Sequence, residues 1–237
     1  MRVAAAQIQI SSSAKKNTRK IIFYIEKSAR KKADLICFPE SALIKRKKNI
    51  EDISLFLKKI KEACKENKIY CIFGSYFKEN GRLYNGAFLI NKNGKLIYRY
   101  KKINLFRNER KKTRMGFANK VINTEFGKLG IVICWDSAYP EYVKRLAKQG
   151  VWVIFCLSYI KNYGRELESY LQIPYVRAFE NSCYFVDVDS ANMDCARYSV
   201  ICSPSKIIKT IKGKEGMIVA DLDRRKVIGL RRYYGLV

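Results

Sequence analysis

Gly130-Ile131-Val132-Ile133-Cys134-Trp135-Asp136-Ser137-Ala138-Tyr139-Pro140-Glu141 decides the fold. It reads as a buried strand that ends in a cysteine and passes into a helix start, the joint at which α/β folds place their chemistry. Asp136 or Ser137 is expected to cap that helix, whose N–H groups and dipole would stabilise a thiolate at the same turn. The competing reading is a buried core cysteine. It is assigned to the other seven cysteines, while catalysis is favoured for Cys134.

Working outward, short β-rich runs recur at Val3–Ile10, Asp34–Phe38, Ile69–Tyr76, Tyr84–Ile90, Leu96–Tyr100, Val151–Leu157, Cys183–Val188 and Met217–Leu222, with Leu129–Cys134 among them. Between them lie helical stripes, one through Ile21, Ile22, Ile25 and Ala29, another through Ile53, Phe56, Leu57, Ile60 and Cys64. Further helices are expected over Tyr139–Gln149 and Arg165–Asn181, the second disturbed or restarted at Pro174. Helix-flanked strands mixed with directly joined ones, as across Asn93-Gly94, predict mixed sheets covered by helices. No linker, repeat or low-complexity tract divides the 237 residues, so one α/β domain over 1–237 is expected.

Composition narrows the chemistry. The chain has no histidine, which removes Ser-His and Cys-His pairs, His-Glu-x-x-His metalloproteases and His-bearing zinc sites together. Carboxylate, lysine and cysteine remain as the useful groups near neutral pH. None of the eight cysteines forms a Cys-x-x-Cys pair; most lie in apolar runs, as reduced thiols do in a cytoplasmic protein. The opening residues lack a secretory pattern, and the longest apolar stretch falls far short of the roughly 20 residues that span a bilayer, so a soluble protein is expected. Forty-eight Lys and Arg against 21 Asp and Glu give a formal charge of +27, enough to attract polyanions. The lysines are spread along the chain, with small knots at 45–48 and 110–112, which favours a solvated surface over a nucleic-acid arm.

Two more segments carry chemistry. Asp34-Leu35-Ile36-Cys37-Phe38-Pro39-Glu40 runs an apolar strand into a carboxylate. Desolvation there would raise the Glu40 pKa and suit it to general-base work; a solvated loop acid is an equal reading of this segment alone. In Tyr98-Arg99-Tyr100-Lys101-Lys102, period-two alternation puts Tyr98, Tyr100 and Lys102 on one face, although a lysine in this chain is ordinarily a surface residue. The strand ending at Leu157 should also point near Cys134, making Ser158 and Tyr159 pocket candidates against an alternative of ordinary loop packing.

Together the three segments resemble the Glu, Lys and Cys signatures of the nitrilase superfamily of carbon-nitrogen hydrolases, in that family's chain order. Val3-Ala4-Ala5-Ala6-Gln7, Tyr84-Asn85-Gly86-Ala87 and Arg177-Ala178-Phe179-Glu180-Asn181 are similar to the family too. The resemblance implies a four-layer αββα sandwich, commonly a homodimer or higher oligomer joined through helices beside the site. It implies Cys134 as nucleophile, Glu40 as general base, and Lys102, rather than Lys101, as electrostatic stabiliser. Glu109 resembles a second glutamate that many members keep near the site, its alternative being an exposed acid among lysines. Lys102 and the Trp135 backbone N–H would bind the developing oxyanion. The implied substrate is a small linear amide or N-carbamoyl compound, with a nitrile less favoured and no metal or cofactor needed.

Two features depart from the family. Asn104 stands where histidine is common, and the chain ends soon after Asp221-Leu222-Asp223. A basic nucleic-acid-binding protein that has kept the fold without its chemistry is the alternative from another class. Acyl transfer to an added amine is a third.

Overall fold

The computed structural model describes residues 1–45, 50, 52–118, 120–161 and 167–235. The first sheet has the order β12-β1-β2-β3-β4-β5, built from β12 (Gly216–Asp221), β1 (Arg2–Gln7), β2 (Leu35–Cys37), β3 (Tyr70–Glu79), β4 (Arg82–Ile90) and β5 (Leu96–Lys101). The second runs β11-β10-β9-β8-β7-β6, from β11 (Ile207–Lys212), β10 (Tyr198–Cys202), β9 (Tyr184–Val188), β8 (Val153–Leu157), β7 (Gly127–Ile133) and β6 (Ile122–Thr124). In each sheet three central strands are parallel and the flanking ones antiparallel, the mixture expected from the alternation of crossover helices with hairpins.

Period-two alternation sends the two faces of each sheet into different cores. Val3, Ala5, Leu35, Ile72 and Leu89 face Leu129, Ile131, Ile133, Phe155 and Val186 between the sheets. Their neighbours Ala4, Ile36, Cys71 and Phe73 pack outward against Ile21 and Ile25 of α1 (Ala14–Arg30) and Ile60 and Cys64 of α2 (Ser54–Glu66). On the far side Val132, Ile154, Cys156 and Phe185 pack against Val143 and Leu146 of α3 (Pro140–Lys148) and Ala178 of α4 (Leu167–Glu180). The result is the expected αββα order. Ala29, expected on the apolar stripe of α1, is only half-buried, and Tyr24 and Ser28 share the inner face instead.

Three expectations change. The helix after Cys134 is not capped by Asp136 or Ser137: a 3-10 turn over Cys134–Ala138 intervenes, and α3 begins at Pro140 behind Tyr139. Asp136 instead accepts the Ile133 N–H at 3.0 Å, and Ser137 donates to the Cys134 carbonyl at 2.7 Å. The second change is at Pro174, which lies inside a continuous α4; its missing N–H costs one helix bond, to the Tyr170 carbonyl, but a buried packing position holds the helix together. That helix ends at Glu180, and Arg165, the expected start, lies outside the described residues, as do 46–48 of the first basic knot. Third, β6, β10, β11 and α5 (Arg224–Tyr233) were not expected. In β11 only Ile211 is buried, and α5 buries only Val227 and Arg231, so neither shows a clear apolar period.

Two features of this frame aim the loops at the strand ends. Gly74 of β3 lies under the turn after β2: a Cβ there would sit 2.7 Å from Glu40 Cα, Pro39 O and Ser41 N. Ser41 takes φ 61°, and Gly74 N–H donates to Pro39 O at 3.1 Å. The second feature is a pair of buried acids on and just beyond β9. Asp187 accepts from Ser158 Oγ at 2.5 Å, and Asp189 accepts from Ile160 N–H at 2.9 Å, so the segment around Tyr159 is held on both sides. Burial pushes their carboxyls up, to about 7 for Asp187 and about 8 for Asp189.

Replacing Gly74 by alanine should force β3 away from the Glu40 turn, costing about 1–3 kcal/mol of stability and lowering the melting temperature by a few degrees per kcal/mol. Calorimetry checks this, and an unchanged melt would contradict the close packing. Asp187 and Asp189 hold protons in the folded state that the unfolded chain has already released above roughly pH 4. Stability should therefore fall as pH rises from about 4 to 8, by up to ~1.4 kcal/mol per pH unit for each group. Asp189→Asn, which keeps an acceptor for Ile160, should flatten that slope in urea titrations from pH 5 to 9; a slope equal to the wild type would speak against a buried neutral acid.

Candidate active site

The ends of β2, β5 and β7 bring Glu40, Lys102 and Cys134 into one buried array. Glu40 follows β2 in the turn that Gly74 admits, and only 5% of it is exposed. Lys102 is the first residue beyond β5, where its N–H donates to Asn85 O at 2.8 Å. Its ammonium turns inward and is 2% exposed, while Lys101 turns outward to pair with Glu79 and lie 4.2 Å from the Tyr84 ring centroid. The alternation along Tyr98, Tyr100 and Lys102 is therefore the register adopted.

Lys102 Nζ sits between two carboxylates, 2.9 Å from Glu40 Oε1 and 3.0 Å from Glu109 Oε2. Glu109 lies on a 3-10 turn over Arg107–Lys111 and is buried, unlike an exposed acid among lysines. It also accepts from Tyr76 OH at 2.7 Å, Asn85 Nδ2 at 2.7 Å and Phe106 N–H at 3.1 Å. Asn85 Nδ2 donates to Glu40 as well, at 2.5 Å, and so ties the two acids together.

This asymmetry separates their proton affinities. Burial, helped by the Glu109 charge, raises the Glu40 pKa against the pull of Lys102 and Asn85. Burial would also raise Glu109, but Lys102 and the donors from Tyr76 and Asn85 outweigh it and the net direction is down. Lys102 is desolvated too, yet the negative charge of Glu40 and Glu109, joined by that of Cys134 once it is ionised, carries it well above the usual lysine value. A permanently charged Lys102–Glu109 pair thus stands beside Glu40, the carboxylate that can accept a proton.

Cys134 closes β7 with φ 44°, a left-handed conformation that turns the chain sharply at the strand tip. It is half-buried, whereas the other seven cysteines are fully buried. Desolvation and the Glu40 charge hold its thiol well above the ordinary range, opposed by Lys102, the Tyr159 N–H and the Tyr170 hydroxyl. At rest the thiol keeps its proton, and ionising it needs a base.

The other sequence candidates are placed as follows. The Trp135 ring stands beside the site, edge-on to Phe106 at 4.9 Å between centroids and parallel to Tyr170 at 6.0 Å. Ser158 is fully buried beneath the site, its hydroxyl committed to Asp187. Tyr159 reaches Cys134 through its backbone N–H, while its side chain runs outward to Asp194 at 3.1 Å. Asn104 supports the lysine loop, with its N–H 2.8 Å and its Nδ2 3.1 Å from Asp136 Oδ1. Sequence reading missed Tyr76, Asn85, Asp136 and Tyr170 as parts of this network. The polar Asn85 near the start of the apolar run Tyr84–Ile90 was one signal, and Asp136 had been read only as a helix cap. Among the described residues no group of three His, Cys, Asp or Glu side chains is arranged to hold a metal, and no helix is long and apolar enough to cross a membrane.

Residues 2–232 match the carbon-nitrogen hydrolase family. A probable nitrilase of Schizosaccharomyces pombe is 32% identical over 164 residues, a stretch that covers 66% of this chain and 59% of that protein, less than two thirds of its length. The omega-amidase of Homo sapiens is 25% identical over 256 residues, covering 98% of this chain and 91% of its own. Nit3 of Saccharomyces cerevisiae, a member of branch 10 of the nitrilase superfamily, shares the fold with a TM-score of 0.89 at 21% identity, over 100% of this chain and 95% of that one. With residues 2–232 matched to that family, the chain belongs to the carbon-nitrogen hydrolases, and its fold is the one seen in nitrilase-superfamily structures.

Proposed function

We propose that this protein hydrolyses the C–N bond of a small linear amide or N-carbamoyl compound through a thioester on Cys134. The observation that carries the reading is the buried array in which Lys102 is neutralised by Glu109, leaving Glu40 with a raised proton affinity beside a strained, half-buried thiol. The relatives named as a nitrilase and an omega-amidase support the same class.

In this reading Glu40 takes the thiol proton as Cys134 Sγ attacks the substrate carbon. A C–S bond forms and the carbonyl π electrons move onto oxygen. Lys102 Nζ and the Trp135 N–H stabilise that oxyanion. Collapse breaks the C–N bond, and protonated Glu40 returns its proton to the leaving nitrogen, releasing ammonia or an amine. Water then attacks the thioester while Glu40 takes its proton, and the acid leaves as Cys134 regains its hydrogen. Glu109 stays ionised throughout and holds Lys102 in place. Val176 and Phe179, exposed apolar residues on α4, offer a face for the expected homodimer. A nucleic-acid binder would have no use for these buried charges.

The test is intact-protein mass spectrometry with parallel ammonia release, over a panel of small amides, N-carbamoyl compounds and nitriles. The wild type should form an acyl adduct or release ammonia; Cys134→Ala should lose both, and Glu40→Gln should lose roughly 10²-fold or more of the turnover. Turnover that survives Cys134→Ala would reject the mechanism.

A further inference from the structure

Tyr170 takes no part in the chemistry just described, yet its hydroxyl reaches the reacting sulfur. It lies on α4 with its ring parallel to Trp135 to within 5°. The hydroxyl is 3.8 Å from Cys134 Sγ and 3.4 Å from Ser137 Oγ. Ser137 Oγ already donates its one hydrogen to the Cys134 carbonyl at 2.7 Å, so toward Tyr170 it can only accept. Among the described residues the phenol hydrogen therefore has two acceptors to choose from, Ser137 Oγ and Cys134 Sγ.

The choice depends on the state of the sulfur. A neutral thiol is a weak acceptor, and the Ser137 hydroxyl oxygen is the better one. A thiolate has no hydrogen of its own and accepts a charge-assisted bond, the stronger kind. We propose that Tyr170 is a catalytic residue, a donor whose hydrogen swings from Ser137 Oγ to Cys134 Sγ as the thiolate forms.

This inference rests on Cys134 being the nucleophile. No proton changes owner in the swing: the thiol proton goes to Glu40, and the phenol keeps its own. Burial, with the Cys134 charge beside it, holds the phenol well above its ordinary pKa, so it stays a donor. Because the bond is strong only while sulfur carries charge, it lowers the cost of forming the thiolate without stabilising the resting thiol. In the thioester the sulfur is neutral again and the hydrogen returns to Ser137. As the thiolate departs during hydrolysis, the same donor assists a second time.

The experiment measures the rate of Cys134 alkylation by iodoacetamide against pH, by peptide mass spectrometry on the full chain. It compares the wild type, Tyr170→Phe and a protein carrying 3-fluorotyrosine at position 170. Phenylalanine keeps the ring that stacks on Trp135 and removes the hydrogen, so its profile should move toward alkaline pH by about one unit, roughly tenfold slower near neutrality. The more acidic fluorophenol is a stronger donor and should move the profile the other way. Coincident profiles with normal Cys134-dependent amide turnover would overturn the role of Tyr170 alone, and so would shifts in the same direction for both replacements, the mark of a packing effect. Amide turnover that persists in Cys134→Ala would remove the reading beneath it as well.

Discussion

A single ammonium, Lys102 Nζ, buried 2.9 Å from one carboxylate and 3.0 Å from another, is the constraint on which the rest of this molecule depends. Taking three charges out of water is expensive, and the cost is offset only where further hydrogen bonds reach the charged groups. Here Asn85, Tyr76 and the Phe106 N–H supply the missing donors to the two acids. Two acids and one base cannot all keep a full charge at equal ease. Burial and the Glu109 charge raise the proton affinity of Glu40, while Lys102 and the donors from Tyr76 and Asn85 hold that of Glu109 down.

Holding this array requires short lever arms from rigid elements. Glu40 and Cys134 each leave a parallel strand in a left-handed or tightly turned residue, and Lys102 leaves the antiparallel edge strand β5. Gly74 lets the Glu40 turn lie on β3, while Asp136 gathers the tip of β7, the lysine loop and Tyr100 through four donors. Asp187 and Asp189 fix the third side, setting the Tyr159 N–H against the sulfur. The sheets are thus a jig: their three cores hold strand ends still enough for buried charges to be paired.

Much of this was legible in the sequence because the strands at the site obey simple periods. The runs into Glu40 and Cys134 are apolar on both faces, as strands buried between a second sheet and a helix layer must be; the period-two rule put Lys102 on the face of Tyr98 and Tyr100, and the family resemblance chose it over Lys101. What escaped detection lacked a local pattern. β11 is an edge strand rich in lysine and α5 a basic helix with two buried residues, so neither carries a period to read. Tyr170 and Tyr76 enter the network from 36 residues after and 58 residues before Cys134, and only the fold brings them there. Sequence placed Ser158 and Tyr159 near the site but not their orientation, which is set by two buried acids on and just beyond β9.

The most direct test of the account is a carboxyl carbon-13 NMR titration of the wild type, Glu40→Gln and Glu109→Gln. Two buried glutamates should titrate apart, one above and one below the ordinary range, and the upper signal should vanish in Glu40→Gln. If the upper signal instead vanishes in Glu109→Gln, the roles of the two acids are reversed and the charge assignment around Lys102 is wrong.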